Sequence, residues 1–204
     1  MNMTKDLIPH VERIVRRRMA DQQAGHGFDH VGRVLRSARK IQEEVGGDRT
    51  IVELAALLHD VGDAKFHDGV EKSAEFTRQI LGELDVDVAT IDHVAEIVDN
   101  LSFRKGDDAK PLSLEGQIVQ DADRLDALGA IGIVRTIEYG AAFDQPFHVS
   151  GNADGTHKTG LRHFDDKLFK LRGLLNTEPA RRMARQREAF MRTFVDQFLA
   201  EWQE

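Results

Sequence analysis

No cysteine occurs anywhere in the 204 residues. Disulfides and thiolate metal ligands are therefore excluded, and redox chemistry does not fix the compartment. No stretch approaches the roughly 20 consecutive apolar residues that a membrane-spanning helix requires. The N-terminus shows no apolar signal-peptide core, so a cytoplasmic protein without membrane association is expected. A basic excess is missing too: 28 Lys and Arg stand against 35 Asp and Glu, for a formal charge of −7. Polymeric nucleic acid requires a dominant basic face and is not an expected partner. A single nucleotide, held by a metal and a few local cations, stays compatible with that charge. β-Branched alternation is nearly absent and no internal repeat is visible, which leaves helix as the dominant element.

What is present agrees with that. The chain is 41% hydrophobic and 31% charged, as helical proteins with exposed polar faces tend to be. The expectation is an all-α fold: a single compact helical domain over residues 1–204, with its core at about 26–130. Helical patterns cover 7–19, 48–59, 72–84, 88–101, a long stretch 113–139, then 161–175 and 179–202. Asp29 stands where a helix N-cap belongs, ahead of a helix running to about Val45 that Gly46 and Gly47 end. The C-terminal helices at 161–202 should pack on the core, and 140–160 reads as an irregular loop, either a lid, a hairpin or an excursion. Arg16, Arg17 and Arg18, and the basic cluster from Arg181 to Arg187, read as solvated helix faces. Phe190, Phe194 and Phe198 recur every four residues, a stripe suited to core packing or to a homodimer.

The most informative position is the end of the apolar run Ile51-Val52-Glu53-Leu54-Ala55-Ala56-Leu57-Leu58, where His59 and Asp60 follow. Burying two such side chains without partners costs several kcal/mol, about 2–7 for a neutral polar group alone, and a divalent cation is an economical partner. Gly62, ending the helix, lets both reach one ion. Further ligand types lie upstream in Gly25-His26-Gly27-Phe28-Asp29-His30 and downstream in Asp121-Ala122-Asp123-Arg124-Leu125-Asp126. Among the three downstream aspartates, Asp123 and Asp126 share a helix face, and the residues alone leave the choice open. Two imidazoles and two carboxylates suit one Mn, Mg, Fe, Co or Ni ion. His26 can donate to a phosphate or stand as an exposed loop histidine. Asp63 can take a proton from water or cap its turn. Lys65 and Arg33 are suitable phosphate cations.

The order His30, His59-Asp60, Asp123 resembles the H…HD…D signature of the HD-domain superfamily of metal-dependent phosphohydrolases. The resemblance runs from about His26 to the C-terminus and is closest to the small single-domain bacterial branch. It is carried most closely by the segments Asp121 to Gly132 and His163 to Leu171. The resemblance implies a metal site between central helices, held by His30, His59, Asp60 and Asp123, the carboxylate directly before Arg124. It implies a single metal, with His93 packing or hydrogen-bonding nearby, and Asp126 orienting a histidine. His163 and Lys167, four apart on one helix face, become candidate substrate contacts together with Arg33 and Lys65. Asp63 and His26 become the candidate catalytic groups. The implied reaction is hydrolysis of a small phosphorylated metabolite, foremost a nucleoside triphosphate to monophosphate and pyrophosphate. Alternatives are a nucleoside monophosphate phosphatase and a non-catalytic metal or nucleotide sensor.

Overall fold

Apolar residues at helical spacing build nine α-helices and no strand among the described residues, which in the computed structural model are 3–20, 27–64, 67–101, 110–150 and 157–203. The all-α expectation holds. None of these helices is long and apolar enough to cross a membrane. The chain divides into two compact units, Met1–Ala122 and Asp123–Glu204.

In the first unit α1 spans Met3–Arg18, α2 Phe28–Val45, α3 Arg49–Leu58, α4 Ser73–Glu83 and α5 Val88–Asn100. Helix α3 is the axis, packed against α1, α2 and α5, while α4 packs on α5. Every residue from Ile51 to Leu58 is buried, and fully burying an aliphatic side chain stabilises by roughly 1.5–3 kcal/mol. The Asp48 carboxylate starts the helix by accepting from the Thr50 and Ile51 amides at 2.8 and 3.2 Å. Helix α2 turns Val31, Val34, Leu35, Ala38 and Ile41 inward, with His30 on the same face. The N-cap of α2 is Gly27 rather than Asp29. The His30 amide already bonds the Gly27 carbonyl at 2.9 Å, so helical bonding begins earlier. Asp29 sits instead in the first turn, where the helix dipole favours a carboxylate. Gly46 and Gly47 end α2 in the left-handed region, with φ of 82° and 88°.

Helix α6 spans Leu114–Asp126, and the division between units falls within it. The expected single helix over 113–139 is broken: α7 begins afresh and covers Gly129–Ala142. Gly129 adopts φ 77°, and a Cβ on Gly132 would lie 2.1 Å from the Ala127 carbonyl oxygen. That close approach is open only to glycine. The apolar spacing continues through the break, which is why the pattern alone reads as one helix. The expected helix over 161–175 is likewise two pieces, α8 (Gly160–Asp166) and a 3-10 helix (Leu168–Leu174), parted where Lys167 takes φ −135° and ψ −57°. Helix α9 covers Glu178–Gln203 and packs on α7 and the 3-10 helix.

The 140–160 segment is tied at its described ends. The Gly160 and Leu161 amides donate to the carbonyls of Pro146 and Phe147 at 3.0 and 2.8 Å. The Phe147 ring meets Phe164, Phe194 and Phe198 edge-on at 5.0–6.1 Å. Of the expected stripe, Phe194 and Phe198 are half-buried and pack on Phe147, whereas Phe190 is 54% exposed.

Candidate metal centre

Two helices and one turn bring three ligand-bearing residues together in the first unit. His30 projects from the inner face of α2 and is 2% exposed; His59 caps α3 and is 8% exposed; Asp60 follows it. The two Nε2 atoms stand 3.2 Å apart, with the rings edge-on at 5.2 Å. Asp60 Oδ2 lies 3.4 Å from His30 Nε2 and 3.6 Å from His59 Nε2. Donor atoms of all three residues fall within 4.8 Å of one another.

The backbone fixes how His59 is used. Its Nδ1 lies 2.9 Å from the Ala56 carbonyl, which can only accept, so Nδ1 carries the proton. In that tautomer the Nε2 lone pair is turned toward His30 and Asp60. Two ligand atoms at about 2.1 Å from one ion stand roughly 3.0 Å apart in octahedral and 3.4 Å in tetrahedral coordination. Separations of 3.2, 3.4 and 3.6 Å therefore fit three neighbouring positions around a single divalent ion. Two nitrogens and one oxygen match the first-row cations from Mn to Zn.

Helices α2 and α3 are held in register by Glu53. Its Oε1 accepts from Arg39 Nε on α2 and from Arg49 Nε, both at 2.8 Å. Burial would raise the Glu53 carboxyl pKa, but the two guanidinium bonds outweigh it and hold the group below its ordinary value. The turn after Asp60 is clamped by the start of α4. The Gly62 amide donates to Ser73 Oγ at 3.1 Å, and the Lys72 amide to the Gly62 carbonyl at 2.9 Å. Glu71 accepts from the Ser73 and Ala64 amides at 2.9 and 3.4 Å. Gly62 is not the helix terminator expected from the sequence, because α3 already ends at Leu58. Its role is closeness: a Cβ there would lie 2.5 Å from the Lys72 carbonyl carbon. The ties of Glu53 to Arg39, Glu71 to Ala64 and Ser73 to Gly62 leave no sign in local spacing, since the partners lie 7 or more residues apart.

Asp63 is half-buried in the clamped turn, its amide bonded to the Asp60 carbonyl at 3.2 Å. Arg33 lines a cleft between α1 and α2. His26 and Lys65 lie outside the described residues. Asp121 is fully buried at the end of the first unit. His93 hydrogen-bonds nearby as expected, its Nε2 3.0 Å from Ser113 Oγ. Asp123, half-buried on α6, is the first residue of the second unit. Within that unit Asp126 accepts from Arg135 at 2.7 Å, and Arg124 donates to the Leu174 carbonyl. His163 and Lys167 adjoin on α8 and just beyond it. Burial lowers the His163 pKa, Lys167 adds to the effect, and Asp166 opposes it.

Comparison with known proteins agrees with the geometry. The profile of the HD domain matches residues 27–128. The uncharacterized protein YpgQ of Bacillus subtilis (strain 168) is 40% identical over 181 residues, spanning 88% of this chain and 85% of YpgQ. The crystal structure of YpgQ in complex with ADP superposes with a TM-score of 0.82 and 31% identity, covering 98% of this chain and 97% of that one. The crystal structure of an HD-superfamily hydrolase from Bacillus thuringiensis superposes with a TM-score of 0.81 and 37% identity over 98% of both chains.

Proposed function

The chain belongs to the HD-domain family, and from that premise we propose that it is a metal-dependent phosphohydrolase acting on a nucleotide, foremost on a nucleoside triphosphate with release of pyrophosphate. The observation that carries the reading is the convergence of His30, His59 and Asp60 donor atoms within 4.8 Å. When bound, a divalent cation supplies Lewis-acid polarisation of phosphate and water oxygens. The fourth ligand of the reading is Asp123, supported by its place before Arg124 in the family's sequence order. Nucleotide as the substrate class is supported by the ADP complex of YpgQ.

The residues divide the work as follows in this reading. The Ala56 carbonyl keeps His59 in the tautomer whose Nε2 faces the site. The clamp of Glu71 and Ser73 holds Asp60 and Asp63 in one turn. Asp63 takes the proton of the attacking water, with His26 donating to the phosphate. Lys65, Arg33, His163 and Lys167 are the candidate substrate contacts. A cation such as Lys65 or Lys167 balances charge developing on the phosphoryl group. The lowered pKa of His163 keeps it neutral near pH 7, a donor that adds no charge.

The test is product analysis. Purified protein with Mn²⁺ is incubated with nucleoside mono- and triphosphates beside an Asp60→Asn control, and products are resolved by ion exchange. Monophosphate plus pyrophosphate, missing in the control, is the expected result. Nucleoside plus inorganic phosphate would replace the reading with a monophosphatase. Nucleotide-dependent thermal stabilisation without any product would replace it with a sensor.

A further inference from the structure

A polar cleft of about 400 Å³ lies between α1 and α2 in the first unit. At about 100° per residue, Gly32, Arg36 and Arg39 stand roughly 160°, 120° and 180° around α2 from His30. These three positions are on the opposite side of the helix from the metal-competent cluster, whereas Arg33, about 60° from His30, stands at the edge between the two sides. Arg16, Arg33, Arg36 and Arg39 line it, against two carboxylates, Glu12 and Asp29. With Glu53 behind Arg39 the four guanidiniums face three carboxylates, a small local excess of positive charge in a chain whose formal charge is −7.

The arginines are arranged rather than scattered. Arg16 stacks its guanidinium on Phe28, 3.9 Å from the ring centroid, and bonds Glu12 at 3.2 Å. Arg39 is held by Glu53 at 2.8 Å. Arg36 is exposed and pairs with no carboxylate among the described residues; its Nη1 lies back over Gly32. Gly32 forms an open floor, where a Cβ would meet nothing closer than that Nη1 at 3.5 Å. Arg36 and Arg39 stand about 60° apart around α2 and roughly 4.5 Å apart along it, so both side chains leave the same side of the helix. A chain of two or three phosphoryl groups offers oxygens to more than one lining guanidinium, and such charge-assisted contacts are strong.

We propose that this cleft is a second ligand site, taking a small anion with two or more phosphoryl groups and working without a metal. It stands on the cleft alone and does not require the hydrolase reading to hold. The volume is in the range of small-molecule sites, about 300–1,000 Å³, but the lining is charged where such sites are mostly apolar, which selects a polyanion.

The test is calorimetric titration of the whole protein with inorganic triphosphate in EDTA at low salt. Saturable binding near one per chain is expected in the wild type and equally in His59→Ala, weakening as salt rises. Arg36→Gln, at an exposed position, should bind at least about tenfold more weakly, the loss of one charge-assisted contact. Gly32→Leu, filling the floor, should abolish binding while the melting temperature shows that the fold persists. ATP in the same buffer identifies the source: equal affinity points to a free polyphosphate, tighter binding to its nucleoside ester. No saturable binding, or equal affinity in Arg36→Gln and Gly32→Leu, overturns the proposal. Binding lost only in His59→Ala would place the anion at the metal-competent cluster and overturn it too.

Discussion

Two histidine clusters in the first unit contain much the same chemistry and do different things. Around His93, the imidazole Nε2 bonds Ser113 Oγ at 3.0 Å, and Glu115 Oε2 is 3.8 Å away. Ser113 Oγ also accepts from the Gly116 amide at 3.3 Å, and Glu115 Oε1 from the Asp48 amide at 2.9 Å. Burial would raise the Glu115 pKa, yet these bonds and the nearby His93 hold it low. Each group there meets a protein donor or acceptor, and the result is a set of caps joining α3, α5 and α6. Around His30 and His59, by contrast, the two Nε2 atoms and Asp60 Oδ2 turn toward one another. Three ligand-type atoms facing a common point suit a cation once both imidazoles present Nε2 lone pairs. Residue type does not separate the clusters; the direction of the donor atoms does.

The sharpest way to break the comparison is His59→Ala. Mn²⁺ affinity should fall by more than the roughly 10–100-fold that losing an outer partner costs, and turnover should vanish with it. Calorimetry and product analysis read both, and unchanged Mn²⁺ affinity with full activity would remove the site assignment. Gly62→Ala comes next. A methyl group 2.5 Å from the Lys72 backbone forces the turn apart, at about 1–3 kcal/mol in denaturant melts. Mn²⁺ affinity should drop alongside, because the displaced turn carries Asp60.

Glu53→Gln has a smaller effect, about 1–2 kcal/mol after discounting for the exposure of Arg39 and Arg49. The Glu53 pKa is depressed on folding, so its contribution is complete above the unfolded value near 4.5 and disappears as pH falls through the folded one. Urea melts from pH 7 to 3 should therefore show a shallower acid decline in the variant. His93→Ala is the mildest, about 1 kcal/mol in stability with Mn²⁺ affinity unchanged. A large loss of metal affinity there would merge the two clusters and undo the distinction.

Much of the site was legible in the chain. His30 follows the period of α2, and His59-Asp60 closes an apolar run suited to a buried helix, so all three stand out in the sequence. The break at Gly129 was not legible, because glycine is compatible with a helix and the apolar spacing continues across it. Neither was the role of Gly62, which depends on a chain segment ten residues later crossing beside it. Arg33 shows the same limit: its spacing from His30 marks it as a phosphate cation, while its place beside Arg16, Arg36 and Arg39 in one cleft depends on where α1 and α2 come together.

By itself the sequence determined the all-α class, the central placement of 51–58 and the metal-competent residue types, since periodicity and polarity are local properties of the chain. Tertiary structure alone decided that three donor atoms converge, that Glu71 and Ser73 clamp their turn, and that four arginines share one cleft. Those outcomes depend on directions and distances between segments far apart in the chain, and such quantities exist only once the helices have packed.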